Sequence, residues 1–584
     1  MYKLERYTFP EIVEKSSKRY AERPALAMVG GAAISYAELE PRTRRVAALL
    51  GLLGARPGDR AALVSENRPE WGVALFGISR AGCIAVPILT DFTAEQMGNI
   101  LEHSGSRLVL ASKRIAAKLG AAGVLAGRIV VAVEDLSLLQ APEGVAAPSA
   151  SALEAAAASL SVPEASADDV AVIVYTSGTT GLSKGVMLSH RNIIANAEGS
   201  RRFIVLRRTD RFLSILPLAH TYEFTIGFII PMLAGSAVYY LDRPPSATVL
   251  LPALKAVRPT IVLSVPLVLE KVYRSSVKPA LEKIGLYKYR AFRGLLERLA
   301  GYKLEKSFGG KIRFFGLGGA PVAPDVESFL NRARFPYSIG YGLTETAPLL
   351  TGNKPGKVKV HTTGLATTGV ELRIADPRPD TGEGEIQARG PNVTSGYYKD
   401  PERTKEIFTE DGWFRTGDLG VMDAEGRITV RGRLKTMILG ASGENIYPEE
   451  IEAVLNASPF VQESLVYGGD SGLTALVQLK PGAAAEHAAA ELSARVKDRI
   501  EEAEVAAARL GEAVGAAIQR AEARAGESIG SAEEAAARLL EAIRREANAR
   551  LAAFSRIQSV RIQSEPFEKT PTQKIKRYLY PRRD

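Results

Sequence analysis

Short apolar runs alternate with stretches of helical periodicity over the first third of the chain. Continuous apolar runs, typical of buried strands, lie at residues 60–66, 82–89, 106–112 and 127–133. Helical stretches lie between them, of which residues 35–53 and 69–81 are examples. Regular alternation of strands and helices predicts parallel sheets and an α/β fold.

Residues 140–169 are rich in Ala, Ser, Pro and Glu, and we interpret them as a connecting segment. A second series of alternating strands and helices follows them. Its strand candidates are residues 211–219, 259–266 and 311–319. From about Gly364 the alternation gives way to short strands separated by turns. The large N-terminal domain is therefore predicted to contain layered α/β subdomains and a β-rich subdomain.

The last part of the chain predicts a smaller α+β domain. Pro448, Glu449 and Glu450 suit the first turn of a new helix after a strand and a loop. We place the boundary near Lys435, which gives domains of residues 1–434 and 435–584. Residues 483–553 are alanine-rich with apolar positions at four-residue spacing, which predicts an inserted helical hairpin. That insertion either packs on its own domain or binds a partner.

Composition limits the classes of function. The 584 residues are 46% hydrophobic and 24% charged, which is ordinary for a soluble protein of about two to four structural units. The single cysteine, Cys83, excludes an internal disulfide and fits a reducing compartment. The first residues lack the apolar core and cleavage site of a signal peptide. The longest apolar stretch, residues 224–241, is interrupted by Gly227, Pro231 and Gly235, so we do not expect it to span a membrane. We expect a cytoplasmic protein, with contact to the inner face of the membrane left open.

The net charge of +10 is spread along the chain and is not accompanied by a nucleic-acid-binding motif, so we expect no nucleic-acid partner. The strongest chemical signal is residues 175–190, YTSGTTGLSKGVMLSH. Three glycines, several hydroxyls and Lys184 follow an apolar run, and such a loop suits the binding of a polyphosphate. The spacing is not that of the Walker loop, which leaves a polar surface loop as the alternative.

Four more clusters carry candidate chemistry. In YGLTET, residues 341–346, Tyr341 suits stacking on a purine, Thr344 a bond to phosphate, and Glu345 a Mg²⁺ ligand. The glycines of 316–321, GLGGAP, would let an adenine approach the backbone, and Asp418 in RTGDLG suits ribose hydroxyls. Near the end of the chain, residues 566–577 offer a lysine that could stabilise charge during group transfer. Taken alone, each of these four clusters is also compatible with a purely structural role.

The segment PLAHTYEF, residues 217–224, follows a strand candidate. His220 is either a structural histidine or part of a substrate entrance. An aromatic side chain beside it, Phe224, would block or open that entrance.

Taken in order, these motifs resemble those of the adenylate-forming superfamily: acyl-CoA synthetases, adenylation domains of peptide synthetases and firefly-type luciferases. The match spans residues 58–577. Residues 217–223, 396–420 and 442–452 are most similar to those of long-chain fatty acid–CoA ligases. The resemblance implies that a carboxylate attacks the α-phosphorus of ATP, after which the CoA thiol attacks the acyl carbon. It implies Mg²⁺ as the metal and a fatty acid, ATP and CoA as substrates.

The resemblance also implies roles for individual residues. The candidate catalytic residues are Lys574, Glu345, Lys184 and His220, and the metal ligands are Thr176 and Glu345. The implied phosphate-binding residues are Thr176, Ser177, Gly178, Thr179, Thr180, Gly181, Lys184 and Gly185, with Thr344. The implied adenine and ribose contacts are Gly319, Ala320, Tyr341, Gly342, Asp418 and Arg433. Lys435 would be the hinge of a mobile C-terminal domain, and His220 and Phe224 would form an acyl gate.

Two features depart from the family pattern. Gln573 stands before Lys574 where the family usually has glycine, and the 483–553 insertion is long. The insertion would modulate domain rotation, contact a membrane or recruit a partner. Two competing functions remain open at this point: transfer of the acyl group to a carrier protein instead of CoA, and a non-catalytic scaffold that uses the insertion.

Overall fold

The computed structural model describes residues 2–176, 184–439, 445–469, 472–490, 532–569 and 575–580. The chain divides into two compact units, residues 1–430 and 431–584. The boundary falls four residues before the one expected from the sequence, inside a strand.

The helices and strands are labelled in chain order. The α-helices are α1 Phe9–Arg19, α2 Tyr36–Leu52, α3 Pro69–Arg80, α4 Ala94–Ser104, α5 Lys113–Ala121, α6 Ala150–Ala158, α7 His190–Gly199, α8 Ile230–Ala234, α9 Ala247–Val257, α10 Pro266–Val272, α11 Lys278–Glu282, α12 Arg290–Ser307, α13 Pro324–Arg332, α14 Pro401–Glu406, α15 Pro448–Asn456 and α16 Ala532–Asn548. Two π-helical segments are Glu223–Ile229 and Tyr273–Val277, and short 3-10 turns include Gly285–Lys288 and Thr344–Thr346.

The strands of the first unit are β1 Pro24–Met28, β2 Ala33–Ser35, β3 Arg60–Val64, β4 Ile84–Pro87, β5 Leu108–Ala111, β6 Ile129–Ala132, β7 Leu138–Gln140, β8 Val170–Thr176, β9 Lys184–Ser189, β10 Arg211–Ser214, β11 Ala237–Tyr240, β12 Ile261–Ser264, β13 Phe314–Leu317, β14 Tyr337–Ile339, β15 Tyr341–Gly342, β16 Leu349–Gly352, β17 Leu365–Ala366, β18 Glu371–Ala375, β19 Gly384–Arg389, β20 Gly396–Tyr397, β21 Phe414–Met422 and β22 Ile428–Arg433, which contains the unit boundary. The strands of the second unit are β23 Ile438–Leu439, β24 Asn445–Ile446, β25 Val461–Gly469, β26 Gly472–Leu479 and β27 Ile557–Ile562.

An eight-stranded sheet of order β20-β9-β8-β4-β3-β5-β6-β7 contains the strands predicted in the first third of the chain. Strands β3, β4, β5, β6 and β8 are parallel, whereas β9 is antiparallel to β8. Thr176 at the end of β8 and Lys184 at the start of β9 therefore lie at the carboxyl edge of the parallel strands. Open α/β sheets bind ligands at this edge.

A seven-stranded sheet of order β14-β13-β12-β10-β11-β1-β2 forms the second α/β layer. Leu317 and Ile339 are neighbours in register at the ends of the parallel strands β13 and β14. The glycine-rich segment after β13 and the YGLTET segment after β14 therefore begin side by side. One hydrophobic core includes side chains from both large sheets, such as Val172 and Val238.

The β-rich part of the first unit contains a sheet of order β18-β19-β21-β22 and a smaller one of order β15-β16-β17. From Gly364 onward the first unit consists mainly of short strands, as the change of texture predicts, with α14 between β20 and β21. A buried cluster of Leu350, Ala388 and Phe414 packs between its strands.

The second unit contains the three-stranded sheet β25-β26-β27 and helices α15 and α16. Leu539, Ile543 and Ala547 recur at four-residue spacing along α16 and are buried in its core. The expected helical insertion is present at residues 483–490 and in α16, and residues 491–531 lie outside the described part of the chain.

The α/β fold class is confirmed, but residues 140–169 are not merely a connection. They contain α6, whose first turn is capped because the side chain of Ser149 accepts a hydrogen bond from the Ala152 amide. The alanine-rich composition was interpreted as a connecting segment, although alanine also favours helix. None of the described helices is both long and apolar enough to cross a membrane.

Candidate active site

The two ends of the predicted phosphate loop face each other in the β8–β9 hairpin. Thr176 and Lys184 are paired in register, and the Lys184 Nζ lies 4.9 Å from the centre of the Tyr397 ring. A Cβ on Gly185 would lie 2.8 Å from the Ile173 side chain, so glycine is needed for the close strand packing. Five predicted phosphate-binding residues, Ser177, Gly178, Thr179, Thr180 and Gly181, lie outside the described residues.

Tyr397 links this hairpin to the YGLTET segment. Its hydroxyl donates a hydrogen bond of 2.8 Å to Glu345 Oε1. Strand β20 pairs with β9, which places Tyr397 opposite Val186. Burial and the neighbouring Glu345 carboxylate raise the pKa of Tyr397, so its hydroxyl stays protonated and remains a donor.

The sequence reasoning did not single out Tyr397 as a site residue. The only signal was its position in the 396–420 segment that carries the family resemblance. Its contact with Glu345 spans 52 positions of the sequence, which no local pattern reveals.

Tyr341 and Asp418 form a second tyrosine–carboxylate pair. The Tyr341 hydroxyl donates a hydrogen bond of 2.8 Å to Asp418 Oδ2, and Asp418 is only 3% exposed. The Asp418 amide donates to the Thr416 hydroxyl at 3.1 Å, and Gly417 between them has φ +68°. The structure thus brings together two motifs that the sequence analysis treated separately.

The backbone around YGLTET is tightly constrained. A Cβ on Gly342 would lie 1.8 Å from the carbonyl oxygen of Pro348, so only glycine fits there. Two asparagine side chains hold the segment from outside: Asn196 of α7 donates to the Leu349 carbonyl and Asn392 donates to the Thr346 carbonyl, both at 2.7 Å. These contacts fix the turn that carries Thr344 and Glu345.

Gly319 and Ala320 are exposed immediately beyond β13. Gly319 has φ +83°, a conformation that favours glycine, and a Cβ there would lie 4.0 Å from the Val265 side chain. Tyr222 lies against the preceding turn, because a Cβ on Gly318 would be 3.2 Å from the Tyr222 ring. The predicted adenine contacts are thus next to a tyrosine from the PLAHTYEF segment.

The two predicted gate residues have different environments. His220 is half-buried, and its Nδ1 accepts a hydrogen bond of 3.2 Å from the Tyr222 amide. Phe224 is 1% exposed and makes edge-to-face contacts with Phe9 and Trp71. Phe224 therefore belongs to the core in this conformation, and every residue of the π-helix Glu223–Ile229 that carries it is buried.

The remaining predicted residues belong to the second unit. Arg433 and Lys435 are exposed at the beginning of that unit. Lys569 forms an ion pair of 2.7 Å with Glu463. Lys574, the predicted catalytic lysine, and Gln573 before it lie outside the described residues.

Thr176 of the β8–β9 hairpin and Glu345 of the YGLTET turn have side chains that suit a magnesium ion. Thr176 and Glu345 offer only hydroxyl and carboxylate oxygens, the donors that Mg²⁺ prefers. Within the described residues there is no group of three or more His, Cys, Asp or Glu side chains that would form an all-protein metal cage. A magnesium ion bound partly through substrate phosphates needs only one or two carboxylates, so the sparse donor set suits it.

Comparisons with known proteins show the family to which the chain belongs. Residues 13–398 match the family model described as AMP-binding enzyme. The long-chain-fatty-acid–CoA ligase FadD15 of Mycobacterium bovis is 33% identical over 473 residues, which cover 75% of this chain and 76% of that protein. A feruloyl-CoA synthase from an Amycolatopsis species is 32% identical over 449 residues, covering 75% and 81% of the two chains. The crystal structure of ATP-bound MatB from Rhodopseudomonas palustris superposes with a TM-score of 0.71 at 25% identity, covering 98% of each chain.

The fold and the assembled motifs define a ligase of the AMP-forming acyl-CoA synthetase type, which uses ATP to make an acyl-adenylate and then forms a thioester with CoA. The family model covers residues 13–398, about two thirds of the chain. The chain belongs to the AMP-binding enzyme family.

Proposed function

We propose that this enzyme is a fatty acid–CoA ligase whose acid substrates have medium to long aliphatic chains. The observation that carries the proposal is the chain of contacts from Lys184 through Tyr397 to Glu345, which joins the phosphate-loop hairpin to the YGLTET turn. The similarity to a long-chain-fatty-acid–CoA ligase supports an aliphatic acid. The similarity to a feruloyl-CoA synthase is the reason that chain length has to be measured.

In the proposed first step, a carboxylate oxygen of the acid attacks the α-phosphorus of ATP and pyrophosphate leaves. Lys184 and the residues from Thr176 to Gly185 hold the β- and γ-phosphates, and Thr344 bonds a phosphate. Magnesium, held by Thr176 and Glu345, would neutralise phosphate charge. Tyr397 is proposed to position Glu345 for this role through the hydrogen bond that its hydroxyl donates to Oε1.

The nucleoside is proposed to lie along the second tyrosine–carboxylate pair. Tyr341, Gly342, Gly319 and Ala320 surround the adenine, and Asp418 accepts hydrogen bonds from the ribose hydroxyls. The bond from Tyr341 orients the Asp418 carboxylate for this purpose. Arg433 is proposed to contact the ribose as well.

In the proposed second step, the sulfur of CoA attacks the acyl carbon and AMP leaves. Lys574 acts in the first step, and rotation of the second unit about Lys435 removes it before the thiol enters. His220 is proposed to line the path of the acyl chain, and a gating role for Phe224 would require its ring to leave the core. We propose a cytoplasmic location with peripheral contact to the membrane, supported by the apolar substrate and by the single buried thiol of Cys83. The 483–553 insertion is proposed to act in rotation or partner binding.

A panel of short, medium and long saturated acids, with ferulate as the aromatic member, tests the proposal through CoA-dependent release of AMP. We expect the highest kcat/KM with the medium and long acids. Release of AMP that needs a carrier protein and ignores CoA would favour carrier loading instead. Absence of pyrophosphate and AMP with every acid would refute the proposal.

Two variants test the contact that carries the proposal. Tyr397→Phe removes the hydroxyl and Glu345→Gln removes the charge that it contacts. We expect both to lower kcat and to raise the Mg²⁺ concentration needed for half-maximal activity. Tyr398→Phe is the matched control, because Tyr398 is the next residue and does not contact Glu345 in any described hydrogen bond.

A further inference from the structure

The connection between the parallel strands β12 and β13 is unusually long. These strands are neighbours in the seven-stranded sheet, and residues 265–313 join them. A crossover of about a dozen residues, usually one helix, is enough for such a connection. This one carries α10, α11 and the 18-residue α12. The additional residues are not needed to connect β12 to β13, so this segment can have a separate function.

One face of α12 is fixed to the body of the first unit. The buried carboxylate of Glu297 accepts hydrogen bonds from the Arg332 guanidinium at 2.6 and 2.9 Å and from the Tyr287 hydroxyl at 3.0 Å. Gly301 packs so closely that a Cβ there would lie 2.6 Å from the Ala333 carbonyl oxygen. These contacts fix the rotation of α12 about its own axis.

The opposite face of α12 presents an apolar stripe to solvent. Phe292, Leu295, Leu299 and Tyr302 are 46%, 60%, 52% and 58% exposed. Their spacing of three and four residues places them on one side of the helix. The turn before α12 adds the exposed side chains of Ile284, Leu286 and Tyr289. We call these seven side chains, with the basic residues between them, the α12 surface.

The concentration of apolar side chains is specific to this surface. Seven of the 19 large hydrophobic side chains that are exposed in the described part of the chain fall within these 19 residues, 284–302. Single exposed hydrophobic residues are normal, whereas a contiguous apolar patch indicates an interaction site.

Basic side chains surround the stripe. The cationic residues of the segment 283–306 are Lys283, Lys288, Arg290, Arg293, Arg298, Lys303 and Lys306. Its two acidic residues are Glu305 and the buried Glu297, whose charge is neutralised by Arg332. The α12 surface therefore presents apolar and positive groups together. Lysine is depleted from the centres of protein–protein interfaces, so this composition argues against a protein partner.

We propose that the α12 surface docks on an anionic lipid bilayer. A helix with an apolar stripe and flanking Lys and Arg side chains lies in the plane of the membrane interface, where its apolar groups enter the acyl boundary and its cations meet lipid phosphates. At 1.5 Å per residue, α12 is about 27 Å long, and the stripe from Phe292 to Tyr302 extends over about 15 Å of that length. The docking assigns a surface to the membrane contact that the proposed function includes, and delivery of a membrane-dissolved acid to the active site rests on that function.

Co-sedimentation of the whole protein with vesicles tests the proposal. We expect binding to phosphatidylcholine vesicles that contain phosphatidylglycerol, much less binding to phosphatidylcholine alone, and a decrease as salt is raised. The double substitution Leu295→Asp with Leu299→Asp should lower the partition coefficient by about tenfold or more. The matched control is Leu52→Asp, at a leucine that is 47% exposed on α2, and it should bind as the wild type does.

Charge reversal provides an independent arm. Arg298→Glu with Lys303→Glu should abolish the preference for anionic vesicles, whereas Lys18→Glu, at an exposed lysine of α1, should not. Pyrophosphate exchange with a water-soluble short acid should stay within about twofold of wild type in the α12 variants, so failure of docking and failure of the ligase function are separate results.

Three outcomes would overturn the proposal. The first is the absence of salt-sensitive binding to anionic vesicles. The second is an equal loss of binding in the Leu52→Asp control. The third is a wild-type dimer that Leu295→Asp dissociates while vesicle binding is absent, because the surface would then be an interface between two copies of the chain. Circular dichroism of each variant verifies that α12 remains folded.

Discussion

Replacing Tyr341 with phenylalanine removes the hydroxyl from the Asp418 pair and keeps the aromatic ring. The lost bond is 2.8 Å long, and its acceptor is a carboxylate that is 3% exposed. A hydrogen bond to a charged group contributes about 1.5–3 kcal/mol, which corresponds to a factor of about 10–150 in a binding constant. Since stacking on the adenine would be retained, we expect this loss to appear mainly in the KM for ATP.

The assay is ATP–pyrophosphate exchange at saturating acid, with ATP varied. Tyr341→Phe should raise the KM for ATP by about tenfold or more with a smaller effect on kcat. Tyr341→Ala should raise it further, because the ring is lost as well. Tyr289→Phe removes a hydroxyl from a tyrosine that is 63% exposed and should leave the KM unchanged.

A double-mutant cycle separates positioning from general destabilisation. If Tyr341 acts by orienting Asp418, the effect of Tyr341→Phe should largely disappear in the Asp418→Asn background. Thermal unfolding of all four proteins shows whether stability changes in parallel. A KM for ATP within twofold of wild type in Tyr341→Phe would refute the reasoning.

Three further predictions concern stability. Gly342→Ala places a Cβ 1.8 Å from the Pro348 carbonyl oxygen and should lower the free energy of unfolding in urea by about 1–3 kcal/mol. In the control Gly51→Ala, the added Cβ meets nothing within 4 Å, so the variant should be neutral or stabilising. Equal effects of the two substitutions would contradict the steric argument. Burial raises the pKa of Glu223 from 4.5 to about 8, so between those pH values only the unfolded chain has lost the proton and the free energy of unfolding should fall as pH rises, by about 1.4 kcal/mol per pH unit. Glu223→Gln should remove that contribution, and parallel wild-type and variant curves between pH 5 and 7.5 would show that the carboxyl is not perturbed. Leu539→Ala should cost about 2–5 kcal/mol because Leu539 is fully buried in the second unit, and an unchanged urea midpoint would mean that α16 is not part of that core.

The alternation of apolar runs and helical periodicity was sufficient to predict the parallel strands β3, β4, β5 and β6, because each is a short, fully buried segment with a local signature. The same local reasoning missed α6, since an alanine-rich segment is compatible with both a linker and a helix. It also placed Phe224 at an entrance, although the ring packs against Phe9 from a distant helix.

In the candidate site, too, local patterns could be predicted from the sequence and long-range contacts could not. Individual motifs were visible because glycine, hydroxyl and carboxylate patterns are local, and Glu345 and Asp418 could be proposed from them. The pairing of each carboxylate with a tyrosine could not, because the Tyr397–Glu345 and Tyr341–Asp418 bonds join positions 52 and 77 residues apart, and the sequence predicts Tyr341 only as a purine contact. Asn196 and Asn392, which hold the YGLTET turn, are ordinary polar residues in the sequence, and only the folded chain shows which carbonyl groups they bond.

Both tyrosine–carboxylate bonds are made entirely by residues of the first unit. The conformational entropy of two acidic side chains is therefore lost when that unit folds and does not have to be lost again when nucleotide is recognised. Under the proposed function, the nucleotide contacts of Tyr341, Asp418 and Glu345 are then separable in evolution from the second unit: apart from Arg433, substitutions in that unit would alter the timing of the two half-reactions while those contacts are retained.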